Sequence, residues 1–243
     1  MIALATVDIA TAETDHLVAS FVTDGDRHAS ARHKLRQRQR QGLAARALVR
    51  SLLTKYFDHA ADCWHLTYDA NGKPAAVLPD NSRHIALSIS HSKDLVACAM
   101  TNLGPIGIDV EYCEPRRMFA DIAASSFGEA ECRVIANGGA TTFYKIWTLR
   151  EAFAKATGLG FMQLVYGRDY FSDTPDTQVW CGPEQHQDWV FGYRLASATY
   201  ATAFAMTICN NRLRAVDDTV LSSTSSIVDA ARTAWLSISQ YCR

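Results

Sequence analysis

Apolar and polar positions change period several times along the chain. Through residues 29–57, Leu35, Leu43, Ala47, Leu48, Leu52 and Leu53 recur at helical spacing among basic residues, which predicts one or two amphipathic helices. Residues 85–89 and 95–100 read as strands flanking a bend at Ser90-His91-Ser92. After a break at Gly104-Pro105, residues 106–111 alternate again and predict a further strand. Helical patterning returns over residues 129–136, is interrupted at Gly138-Gly139, and resumes over residues 143–157. Strands are expected near residues 177–181, 189–195 and 199–208. A serine-rich run at residues 221–226 precedes a terminal helix at 227–241, whose apolar stripe is Val228, Ala231, Trp235 and Ile238. No repeat is visible in the residues themselves.

The strand at residues 106–111 carries chemistry. Side chains alternate with period two, so Asp109 and Glu111 share one face while Ile106, Ile108 and Val110 cover the other. Two acids on a lone strand are ordinarily its solvent face. Here the apolar face anchors them to a core. Downstream, in Trp147-Thr148-Leu149-Arg150-Glu151-Ala152-Phe153-Ala154-Lys155, a helix makes Glu151 and Lys155 neighbours one turn apart. Such a pair alone is a surface ion pair. Three carboxylates and an ammonium together suit a magnesium ion carrying a diphosphate.

These two runs resemble the hallmarks of the 4′-phosphopantetheinyl transferases of the larger, surfactin-synthetase-activating type: a Gly-Ile-Asp-Val-Glu strand and a Trp-x-x-Lys-Glu-Ala-x-x-Lys helix. Arg150 departs from the usual Lys, keeping a cation there. Asn71-Gly72-Lys73-Pro74 and Leu87-Ser88-Ile89-Ser90-His91-Ser92 resemble two further pieces of that family, in the right order, with Leu87 in place of the common aromatic. The similarity covers about residues 30–170.

The resemblance implies a pseudo-dimer of two similar α+β halves with the active site in the cleft between them: residues 1–104 binding coenzyme A, 105–210 carrying the metal site and carrier docking, and 211–243 a tail. It implies transfer of the phosphopantetheine arm of coenzyme A to a serine of an apo acyl, polyketide or peptidyl carrier protein, releasing adenosine 3′,5′-bisphosphate. Asp109, Glu111 and Glu151 would be ligands of Mg²⁺, with Mn²⁺ as the alternative ion. Glu151 would double as general base, and Lys155 would contact the diphosphate. Ser90, His91, Lys73 and Arg40 would bind the nucleotide and its phosphates. Glu131 matches a further family acid and could assist the metal. A Mg²⁺-dependent hydrolase of nucleotide diphosphates, and a silent relative that only binds, stay open as alternatives.

Charge and composition narrow the partners. With 243 residues and 48% hydrophobic content the chain can bury a substantial core, and a net charge of −1 argues against a general nucleic-acid binder. The bases are uneven: Arg27, Arg32, Lys34, Arg36, Arg38, Arg40, Arg46, Arg50 and Lys55 crowd into one stretch, a solvated helix face or a charged complement to an acidic carrier helix. Seven cysteines, odd in number and without a Cys-x-x-Cys pair, are expected as free thiols. The first residues lack a basic region and a signal-length apolar run, and no stretch approaches about 20 apolar residues, so a cytoplasmic protein without a membrane span is expected, and by the internal pseudo-dimer a monomer.

Overall fold

The computed structural model describes residues 1–114, 118–158, 169–172, 179–181, 189–197 and 199–207. The first half comprises β1 (Ile2–Asp8), α1 (Ala12–Phe21), α2 (Asp24–Ala31), α3 (Arg36–Tyr56), β2 (His65–Tyr68), β3 (Pro74–Val77), β4 (His84–Ser92) and β5 (Leu95–Thr101). The second comprises β6 (Ile106–Tyr112), α4 (Phe119–Ser126), α5 (Glu129–Thr157), β7 (Val179–Cys181), β8 (Trp189–Ser197) and β9 (Tyr200–Thr207). Helices packed on two antiparallel sheets make the fold α+β, as the family resemblance implies. The 227–241 stretch lies outside the described residues.

The sheets run in the orders β1-β5-β4-β3-β2 and β6-β9-β8-β7. In each, the first strand is followed by helices, the later strands form a meander, and the last strand returns antiparallel beside the first. The same winding thus appears twice, a repeat that the residues did not betray because its two copies bury different side chains.

Period-two alternation gives β4 two unlike faces. Ile85 and Leu87 pack under α3 with Leu48, Leu52 and Leu53, while Ala86 joins the apolar cluster of Ile106, Ile108 and Val110 on β6. β6 therefore lies across the first sheet while it pairs with β9 in the second. The expected bend at Ser90-His91-Ser92 is absent. Those residues continue β4, and the reversal falls at Lys93-Asp94, where Lys93 takes a φ of 50°. The alternation of serines with Leu87 and Ile89 belongs to a strand whose polar side meets partners across a seam.

Two glycines shape the second half. A Cβ on Gly107 would stand 1.9 Å from the Ala152 carbonyl oxygen, so only glycine lets β6 lie directly on the backbone of α5. Gly139, at φ 66° and ψ −153°, kinks α5 at the interruption that the sequence predicts, although the helix resumes at once. α5 then buries Phe143, Ile146, Leu149, Ala152 and Phe153 against the second sheet.

Candidate active site

The Gly107 contact brings the acids of β6 under the last turns of α5. Asp109 is only 3% exposed, and its Oδ1 accepts from Lys155 Nζ at 2.7 Å and from Ser90 Oγ at 2.8 Å. Lys155 also donates to Ser90 Oγ at 2.9 Å. Among the described residues, Asp109 Oδ2 is buried with no hydrogen-bond partner. Glu111, less buried, accepts from Ser92 Oγ at 3.1 Å. Burial first, and then the negative charges of Asp109 and Glu111, push the Glu151 carboxyl up to about 7, with Lys155 pulling the other way.

Glu151 and Lys155 line a cavity of about 480 Å³ between the halves, together with Asn71, Lys73, Ser88 and Ile89. The volume suits a small-molecule site. Lys73 arrives on the turn between β2 and β3, where Asp69 Oδ1 accepts the backbone N–H groups of Asn71 and Lys73. Its Nζ donates to the Ala156 carbonyl at 2.7 Å, a cation at the C-terminal end of α5. Burial lowers the Lys73 ammonium's pKa, partly offset by Asp69.

His91, next to Ser90 on β4, meets an arginine of α3. Arg38 Nη1 lies 3.0 Å from His91 Nδ1. Packing around the ring, and the positive charges of Arg38, Lys155 and His33, hold His91 below its ordinary pKa against a backbone hydrogen bond that favours the imidazolium. Arg40 is not brought to this cluster. Two residues on from Arg38, and so about 200° around the helix, it pairs with Asp15 at 3.0 Å on α1. Sequence reasoning chose Arg40 and missed Arg38, since nothing in a run of alternating arginines marks which one faces β4.

Arg150 and Glu131 do not join the cavity. Arg150 is fully buried, its guanidinium lying 4.5 Å from the Phe127 ring and 4.9 Å from the Tyr170 ring, and it is ion-paired with Glu131. Glu131 Oε1 accepts the backbone N–H groups of Tyr170 and Phe171. Arg150 keeps the cation that the sequence offers there, but it and Glu131, expected as a metal-assisting acid, are turned to one another: the pair ties residues 170–171 to α5. A planar guanidinium between two aromatic rings is a reason for Arg where Lys is usual.

For a divalent cation the fit is chemical. An ionisable oxygen buried without a partner, Asp109 Oδ2, beside two further carboxylates is an environment that favours a positive ion. In the present arrangement the ammonium of Lys155 meets part of that need. Among the described residues no three His, Cys, Asp or Glu side chains stand close enough to form a ligand set as they are.

Residues 105–209 match the 4′-phosphopantetheinyl transferase superfamily. That span begins with β6 and includes α5, and hence Asp109, Glu111, Glu151 and Lys155. The chain is 31% identical over 134 residues to the 4′-phosphopantetheinyl transferase HetI of Nostoc sp., covering 53% of this chain and 56% of that protein. It is 28% identical over 163 residues to a putative 4′-phosphopantetheinyl transferase of Synechocystis sp., covering 61% and 65%. It is 29% identical over 156 residues to the 4′-phosphopantetheinyl transferase psf-1 of Bacillus pumilus, covering 63% of each. The matches thus span between about half and two thirds of these relatives. Among the described residues no helix is long and apolar enough to cross a membrane, and Cys63, Cys98, Cys113 and Cys132 are free thiols.

Proposed function

We propose that this protein transfers the 4′-phosphopantetheine arm of coenzyme A to a serine of an apo carrier protein, in the manner of the larger, surfactin-synthetase-activating transferases, and that it acts as a monomer. The observation that carries the reading is that Glu151 and Lys155 line one cavity walled by both halves, with Asp109, from the other motif, bonded to Lys155 behind it. The superfamily match over residues 105–209 supports it. Labour divides along the seam. Residues 1–104 contribute Lys73, Ser90 and His91 to coenzyme A binding, with Arg38 rather than Arg40 beside His91, and residues 105–210 hold the acids.

Each side chain then has a task. Glu151, poised near neutrality, takes the proton of the carrier serine, for which a base with a pKa near the working pH is best suited. Burial, and then crowding with Asp109 and Glu111, raises its pKa to that range. Lys155 reaches the diphosphate oxygens and stabilises the departing phosphate. His91 and Lys73 supply positive charge or donors along the nucleotide. Asp109, Glu111 and Glu151 are the residues that would hold Mg²⁺ or Mn²⁺, which when bound neutralises charge on the non-bridging oxygens of the diphosphate.

Intact-mass spectrometry tests the reading. Apo acyl and apo peptidyl carrier proteins are incubated separately with the protein, coenzyme A and Mg²⁺. A gain of one phosphopantetheine arm, abolished by EDTA and by Glu151→Ala, is expected. Coenzyme A cleaved without a gain would instead assign a hydrolase; intact coenzyme A with neither carrier modified would assign a binding protein. An unchanged rate for Lys155→Ala at saturating coenzyme A would remove the role given to Lys155.

A further inference from the structure

Ser88, Ser90 and Ser92 alternate along β4, so their side chains leave the same face of the first sheet. That face meets β6, which occupies one edge of the second sheet and pairs there only with β9 among the described strands. The other edge of β6 presents backbone N–H groups that a neighbouring strand would ordinarily accept. The serines accept them instead. Ser88 Oγ takes the N–H of Ile108 at 3.0 Å, and Ser92 Oγ takes the N–H of Tyr112, four residues on, also at 3.0 Å.

The same hydroxyls reach the acids between those amides. Ser90 donates to Asp109 Oδ1 at 2.8 Å, and Ser92 donates to Glu111 Oε2 at 3.1 Å while it accepts from Tyr112. A serine hydroxyl has one proton to give and lone pairs to receive with, so Ser92 fixes the backbone and a carboxylate at once. Ser88 and Ser90 are 3% and 8% exposed, which leaves little water to replace them.

We propose that Ser88 and Ser92 are positioning residues: they hold the free edge of β6 in register with β4 and, with Ser90 between them, set where the carboxylates of Asp109 and Glu111 stand. Neither touches the reacting atoms in this role. The inference rests on the reading of Asp109 and Glu111 as metal ligands, for which the groups that orient a ligand carry much of the affinity.

The test uses the full chain, with Mn²⁺ as the probe. In Ser88→Ala, amide exchange at Ile108 accelerates about tenfold, the equivalent of one lost hydrogen bond, while Tyr112 is unaffected; Ser92→Ala shows the converse. By electron paramagnetic resonance titration, Ser92→Ala weakens Mn²⁺ binding about tenfold, whereas Ser92→Thr, which retains the hydroxyl, and Ser82→Ala, on an exposed turn, bind as the wild type does. Wild-type exchange rates at both amides in the alanine variants would overturn the ladder. Wild-type Mn²⁺ affinity in Ser92→Ala would overturn its bearing on the ligands. Carrier modification by the wild type, read by mass, is a separate arm: if it fails while the exchange and Mn²⁺ changes appear, the transferase reading is at fault and the positioning role stands.

Discussion

Glu131 and Glu151 stand on the same helix, one in a sealed pocket of aromatic rings and the other at the seam between the halves. Glu131 is fully buried, yet every demand of its charge is met by the Arg150 guanidinium and two backbone N–H groups. Burial raises the pKa of Glu151 most, and the nearby carboxylates of Asp109 and Glu111 add to it against the pull of Lys155 one turn away. The contrast separates two uses of one residue type. A buried acid with a complete set of donors is architecture. One crowded by like charge beside a cavity is poised to bind a cation or a proton.

The largest effect expected from this difference is on rate. Glu151→Ala should lower arm transfer about 10²- to 10⁴-fold, the range for loss of a general base. Its thermal unfolding temperature should hold or rise, because a crowded charge has gone. A parallel loss of fold and rate would place Glu151 with Glu131 as architecture. Arg150→Ala should do the reverse, removing about 3–5 kcal/mol of stability in urea melts by leaving Glu131 as a buried, uncompensated charge. Arg150→Lys keeps the charge but not the plane between Phe127 and Tyr170, so its loss should be smaller.

Gly107 links the two regions, since it sets how closely β6 approaches α5. Gly107→Ala must push the strand off the Ala152 carbonyl, at an expected cost of about 2–3 kcal/mol in urea melts. Transfer should fall further than this stability change explains, because Asp109 moves with the strand. Equal stability and rate would mean that the backbone yields elsewhere.

The same crowding also shapes the pH dependence of stability. The Glu151 pKa rises from 4.5 in the unfolded chain to about 7 in the folded protein. Between those values the folded state holds a proton that the unfolded state has lost. Its contribution to stability is therefore full below about pH 4.5, declines as pH rises towards 7, and is level above. Glu151→Gln should flatten that part of the profile, as urea melts across pH 4–8 would show. An identical slope in the variant would assign the effect to another group.

Much of the site is legible in the residues. The acids of β6 alternate with Ile106, Ile108 and Val110, and Glu151 and Lys155 keep helical spacing, so local period alone brings each pair to one face. What local period does not encode is the partner across the seam. Ser90-His91-Ser92 has the composition of a turn and becomes strand because β6 supplies acceptors and donors to its serines. Arg150 has the residue type of a phosphate ligand and is buried because Glu131, nineteen positions earlier on α5, awaits it across the kink at Gly139. β1 and α4 are short and carry little periodic signal, so they emerge only through the sheet and helix against which they pack.

The most direct measurement is a ¹³C carboxyl titration of the glutamates by nuclear magnetic resonance, with and without Mg²⁺. The account predicts one resonance titrating near pH 7, absent in Glu151→Gln and shifted to lower pH when Mg²⁺ is added. A Glu151 resonance that titrates near the ordinary 4.5 and is indifferent to Mg²⁺ would contradict the claim that Asp109, Glu111 and Glu151 share one cation-seeking site.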